Sequence, residues 1–223
     1  MELEIIEKGK YSYSIVFKNA TPKNEILLKA LLQSKLLGAG TNVNAECNKI
    51  NFNATEVITL NNLLSKYQKE RNLAKLDYDE TENLVLSLHK QVKNLERHNY
   101  TFSNFHLENI VVITKNKKKI FISVSTEDMF EIKNNSITFI SPFDLKDRFL
   151  DPVVKKINVL PAKAHYKSCY YSLGSLAMYC IFSDFEEDDR ERKLRQIKFT
   201  GLYWKILKCL DEDFDKRGLI QTL

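Results

Sequence analysis

The periodicity of the chain changes along its length, and that change constrains the fold more than any single motif. In the first third, extended runs surround one early helix. Tyr11, Tyr13, Ile15 and Phe17 fall at every second position after Gly9-Lys10, the pattern of a hairpin with one apolar face. Pro22 then precedes a segment from Glu25 to Leu37 in which Ile26, Leu27, Ala30, Leu31 and Leu37 recur at helical spacing, with Gly38-Ala39-Gly40 as its stop. Short strands follow at Lys49 to Asn53 and Glu56 to Leu60, and a helix runs from about Asn61 to before Asn72.

From there the helical period takes over. Asp79, with Glu82 three residues later, reads as a capping box, and Val85, Leu88, Val92 and Leu95 keep one helical face apolar to about Asn99. Two alternating strands, Asn109 to Ile113 and Lys119 to Val124, flank a polar turn, and a second hairpin is expected at Met129 to Lys133 and Ser136 to Ile140 around Asn134-Asn135. Beyond an irregular, proline-containing stretch, helices are expected at Cys169 to Phe182, from Arg190, and at Leu202 to Leu210. Strands gathered early and helices gathered late give an α+β chain, not an alternating α/β one.

Composition supports a folded domain: 43% hydrophobic and 28% charged residues are globular values. The formal charge of +5 is too small to require an anionic partner. Cys47, Cys169, Cys180 and Cys209 are widely spaced, with no C-x-x-C pair, and read as reduced thiols of an intracellular protein. Met1 to Glu7 lacks the basic and then apolar pattern of a signal peptide, and the apolar run from Leu173 to Phe182 is too short to span a bilayer. The expectation is a soluble, cytoplasmic protein with no membrane association.

Four segments carry a resemblance to protein kinases. Phe102-Ser103-Asn104-Phe105-His106-Leu107-Glu108-Asn109 followed by Ile110-Val111-Val112 resembles the catalytic loop H-R-D-L-x-x-x-N and its apolar strand. Lys119 to Ser125 resembles the strand that ends in D-F-G, Tyr170-Tyr171-Ser172-Leu173-Gly174 the start of the central buried helix, and Cys209 to Arg217 the tail motif C-L-x-x-D-P-x-x-R. The four occur in kinase order over residues 79 to 217. The resemblance implies a reduced, β-containing N-terminal lobe over residues 1–72 and a mainly helical C-terminal lobe over 73–223. In style the chain is similar to short kinase-like proteins of large DNA viruses, which would place it in the host cytoplasm or the virion.

The same alignment removes the chemistry. Kinases need one aspartate to orient the substrate hydroxyl and a second to hold the metal that bridges the phosphates. Asn104 stands at the first position and Ser123 at the second, and neither supplies a carboxylate. Asn109 keeps the metal-binding asparagine of the loop, but a lone amide is a poor magnesium ligand. Gly9-Lys10-Tyr11-Ser12-Tyr13-Ser14 has one glycine where the phosphate-binding loop has three. Ile15-Val16-Phe17-Lys18 resembles the V-A-I-K strand, making Lys18 the candidate nucleotide-binding lysine, with Glu25 as its nearby acid. The A-P-E glutamate falls at Val153 or at Phe143. Arg217, which it would pair with, is left to Asp211, Asp213 or water.

The resemblance therefore implies a pseudokinase, not an enzyme, with no bound metal and no cofactor, acting on a protein partner. A second reading is a divergent, active Ser/Thr kinase using ATP, in which Asp128, Glu127 or Asp144 takes over metal binding. A third is a nucleic-acid-binding accessory protein working through Lys115, Lys117, Lys118 and Lys119 or through Arg190, Arg192, Lys193, Arg195 and Lys198. No aromatic platform accompanies either basic run, and the second is interleaved with acids, so nucleic acid is the minor alternative. Weak, metal-free nucleotide binding stays open.

Overall fold

The computed structural model describes residues 3–144, 147–183 and 189–218. Strands β1 (Leu3–Gly9) and β2 (Ser12–Phe17) form the expected hairpin, with Ile5 opposite Ile15. Helix α1 (Pro22–Ser34) follows, then β3 (Asn42–Val43) and β4 (Lys49–Asn53), and the antiparallel sheet runs β1-β2-β4-β3. One face is buried by the pleat: Tyr13 lies opposite Phe52 and Ile15 opposite Ile50. Tyr11, expected on that face, sits in the turn at φ 68° and is exposed, because the left-handed turn takes it out of the alternation.

The α1 helix starts at Pro22 behind Thr21, whose hydroxyl accepts from the Asn24 amide at 3.2 Å. It ends before the glycines, at Lys35, which itself adopts the left-handed conformation that closes helices. A second sheet joins β5 (Glu56–Thr59), β7 (Ile110–Lys115) and β8 (Lys118–Ser123) in the order β5-β7-β8. Between β5 and β7 the chain forms α2 (Leu60–Arg71), α3 (Tyr78–Glu96) and the short β6 (Tyr100–Phe102).

The capping box of α3 is Asp77 with Glu80, two residues ahead of the Asp79 and Glu82 expected. Both pairs fit the local pattern. The earlier one is selected by tertiary contact, since buried Leu76 donates its amide to the Cys180 carbonyl at 2.7 Å and fixes where the helix starts.

The expected second hairpin is reduced to a single bridge between Lys133 and Ser136. Asn134 and Asn135 do take the left-handed turn, but the flanking strands part. Strand β9 (Met129–Glu131) pairs with β6, and β10 (Ser136–Phe139) pairs with β11 (Ala162–His165). The cause is burial in two different places: Met129 enters the main core, whereas Ile137 and Phe139 join Leu150, Val154 and Ala164 in a small separate cluster.

The remaining helices are α4 (Pro152–Lys155), α5 (Ser168–Phe182), α6 (Arg190–Gln196) and α7 (Gly201–Cys209). α5 is buried on nearly every side and packs against both α3 and α7. Gly174 permits this: a Cβ there would come within 2.8 Å of Leu210 and 2.9 Å of Cys209. The main core is continuous from Tyr13 to Leu210, and the architecture is α+β with small antiparallel sheets. Among the described residues, no helix is long and apolar enough to cross a membrane.

Candidate functional site

The loop from Ser103 to His106 leaves β6 and enters a short 3-10 turn, Leu107–Asn109, before β7. Phe105 anchors it in the core, with its ring 5.4 Å from that of Phe102. The Ser172 hydroxyl, on α5, accepts from the Phe105 amide at 3.0 Å and donates to Asn104 Oδ1 at 2.5 Å. The Asn104 amide in turn hydrogen-bonds the Asp147 carboxylate. Asn104 is thus buried, with both ends of its side chain engaged, and it forms part of the wall of a cleft of about 380 Å³.

His106 carries the charge of this cleft. Its Nδ1 lies 2.8 Å from Asp147 Oδ2 and its Nε2 3.4 Å from Asp128 Oδ1. The two carboxylates push the imidazole up to about 10, Asp128 foremost, against an opposing effect of burial. At neutral pH it is an imidazolium. Burial raises the Asp147 carboxyl, but hydrogen bonds from His106, the Phe149 amide and Asn104 outweigh it and hold the group below the usual carboxylate range. Asp128 is fixed further by Ser125, whose hydroxyl donates to Oδ2 at 2.5 Å. From α1, Lys23 places its amine 5.4 Å from the Phe130 ring, a wall of the cleft. Burial lowers the pKa of that amine while Asp128 opposes the shift.

Of the positions that the pseudokinase reading assigned to the catalytic loop, the D-F-G triplet and the nucleotide lysine, only Asn104 lines this cleft. Ser123 is buried outside it, at the end of β8. There Gln91 from α3 brackets the backbone, accepting from the Ser123 amide at 2.8 Å and donating to its carbonyl at 2.7 Å. Asn109 also lies outside: its amide donates to the His106 carbonyl at 3.0 Å and its carbonyl accepts from the Val124 amide at 2.9 Å. Lys18 lines a neighbouring hollow of about 260 Å³ that meets the cleft at Glu127. Glu25 receives Lys29 at 2.5 Å. Glu127, Asp128 and Asp144, the acids of the divergent-kinase reading, do line the cleft. Among the described residues, however, no group of three or more His, Cys, Asp or Glu side chains is arranged to hold a metal ion.

His106, Asp147, Ser172 and Lys23 were not singled out by sequence. His106, two residues beyond Asn104, and Ser172, within Tyr170 to Gly174, do lie inside segments that carry the resemblance. Another hollow, about 550 Å³, lies between α2, α3 and the β7-β8 turn and shares no residue with the cleft. Its charges are partly spent internally, as where Lys119 meets Glu80 at 2.7 Å.

Arg217 finds an acid, but neither Asp211 nor Asp213. Its Nη1 donates to Asp151 Oδ2, both side chains being almost wholly buried, and its Nε donates to the Asp211 backbone carbonyl at 2.5 Å. Asp151 also caps α4, accepting from the Val153 amide at 2.8 Å, so the arginine ties the tail to the Asp-Pro-Val segment. Cys169, Cys180 and Cys209 are buried free thiols and Cys47 is half-buried.

No protein-family model matches the chain, and no curated protein matches it in sequence.

Proposed function

We propose that this chain is a kinase-like protein that has lost phosphoryl transfer and acts by binding another protein. The observation that carries the reading is the cleft itself. At the position assigned to the catalytic aspartate stands Asn104, a neutral side chain spanning Ser172 and Asp147. The cation among the carboxylates is the His106 imidazolium. The order of elements supports the kinase comparison: an amphipathic α3, a loop, the β7-β8 hairpin, an irregular stretch, the buried α5 and a helical tail. So does the buried pairing of Arg217 with Asp151, which links the tail to the segment where kinases keep the glutamate of A-P-E.

Phosphoryl transfer needs metal to offset charge on the phosphates, and the metal needs free anionic ligands. Asp128 and Asp147 already share a cation, and Ser123 is not among the residues that line the cleft. The divergent-kinase reading draws on Glu127 and Asp144, which line the cleft beside Asp128.

The deciding experiment is thermal unfolding with ATP, with and without magnesium. A ligand at about 100 times its Kd stabilises by about 2.7 kcal/mol, a shift that is easily seen. We expect no magnesium-dependent stabilisation and no phosphate transfer. The Asn104→Asp, Ser123→Asp double variant should gain neither, because Ser123 does not face the cleft. Magnesium-dependent binding and transfer that vanish in Lys18→Ala would make the active-kinase reading the correct one.

A further inference from the structure

α7 buries Leu202, Ile206 and Cys209 and turns its other side outward. On that side Trp204 is 46% and Leu207 37% exposed, at the i, i+3 spacing that puts them next to each other. Phe199, in the turn that leads into α7, is 77% exposed and held at φ 67°. A bulky residue seldom takes that conformation, and here it carries the ring away from the core. Leu86 of α3 is also exposed, one turn beyond the Glu82 that receives Lys205 of α7 at 2.6 Å. Two lysines flank these side chains. Lys198 lies over the face of the Phe199 ring, 4.8 Å from its centroid, and neither lysine has a carboxylate partner among the described residues. Large exposed apolar side chains edged by unneutralised lysines mark a surface built for a partner that brings both apolar groups and negative charge.

We infer that the outward face of α7, with Phe199 and Leu86, docks an amphipathic segment of another protein whose polar flank is acidic. Charge selects this occupant over two others. A second copy meeting the same face about a two-fold axis would bring Lys198 and Lys208 against themselves or each other. An anionic lipid surface is recognised by clusters of about four or more basic side chains, whereas only Lys198 and Lys208 edge this face and Arg192 and Arg195 of the neighbouring α6 are already paired with Asp189 and Glu191. The proposal does not depend on whether the cleft transfers phosphate, so the magnesium–ATP assay and the docking assay can fail separately.

Trp204 is the chain's only tryptophan, so its emission reports on this face alone. The full-length chain would be titrated with a helix-forming peptide of about 15 residues carrying leucines on one face and glutamates on the other. Parallel titrations would use the same peptide with lysines for glutamates, and vesicles of phosphatidylserine and phosphatidylcholine. The expected result is a saturable blue shift with the Glu–Leu peptide. Its affinity should fall about tenfold in a Lys198→Glu, Lys208→Glu variant and again in a Phe199→Ser, Leu207→Ser variant, with circular dichroism unchanged in both. The inference is overturned by the absence of any saturable shift, by equal affinity for the Lys–Leu peptide, by a shift with vesicles alone, or by concentration-dependent dimerisation that itself buries Trp204.

Discussion

Replacing His106 by glutamine removes the cation that Asp128 and Asp147 share, and the structure sets the size of the effect. The imidazole moves from an ordinary 6.5 to about 10 in the folded chain. At about 1.4 kcal/mol per unit the full linkage approaches about 5 kcal/mol, which is a ceiling. The ring is 32% exposed and its carboxylates 19% and 14%, so solvent screening reduces the expected contribution to about 2 kcal/mol. Because the folded value is the higher one, this stabilisation is fully present below pH 6.5 and is lost as the pH rises through 10. Urea denaturation of wild type and His106→Gln between pH 6 and 10.5 would measure it as a difference, which cancels the titration of other groups. The gap should be about 2 kcal/mol from pH 6 to 7 and should close toward pH 10. In histidine NMR spectra His106 should stay protonated through neutral pH, while His89, which burial lowers to about 4, stays neutral. A stability gap that does not vary with pH, or a His106 titration near 6.5, would refute the clamp.

Two further substitutions test the packing around the site. Arg217→Met should destabilise by about 3–5 kcal/mol in urea denaturation, since it strands the wholly buried Asp151, and the Arg217→Met, Asp151→Leu pair should recover part of that loss. A single variant as stable as wild type would mean the pair is not buried as described. Gln91→Leu leaves the Ser123 amide and carbonyl without partners and should cost about 2–4 kcal/mol, with faster hydrogen exchange at the Ser123 amide; unchanged exchange there would remove the bracket from the account.

What the sequence makes legible here is whatever local periodicity decides. The apolar stripe of α3, the run of α5 and the β7-β8 hairpin were all readable because their burial follows from spacing of 3.6 or 2 residues. Errors arose where two local solutions were equally good. Asp77 and Asp79 each have a glutamate three residues on, and only the Leu76–Cys180 contact chooses between them. The site was less legible for the same reason. Asn104 could be found from its place in a motif, but the clamp joins residues 106, 128 and 147, and the partners of His106 come from a turn and an irregular stretch with no period of their own. Ser123 was assigned to the site by alignment. Its strand is instead held from below by a helix side chain, a contact no spacing rule contains.

A cation supplied by a side chain differs from one supplied by solvent in being always present at neutral pH and always in the same place. Asp128 and Asp147 therefore do not offer the open anionic pair that draws a divalent ion, and a magnesium ion would have to displace an imidazolium while giving up water it holds tightly. On the proposed reading, binding of another protein falls to surfaces whose apolar groups are not satisfied from within, such as Trp204 and Leu207 of α7.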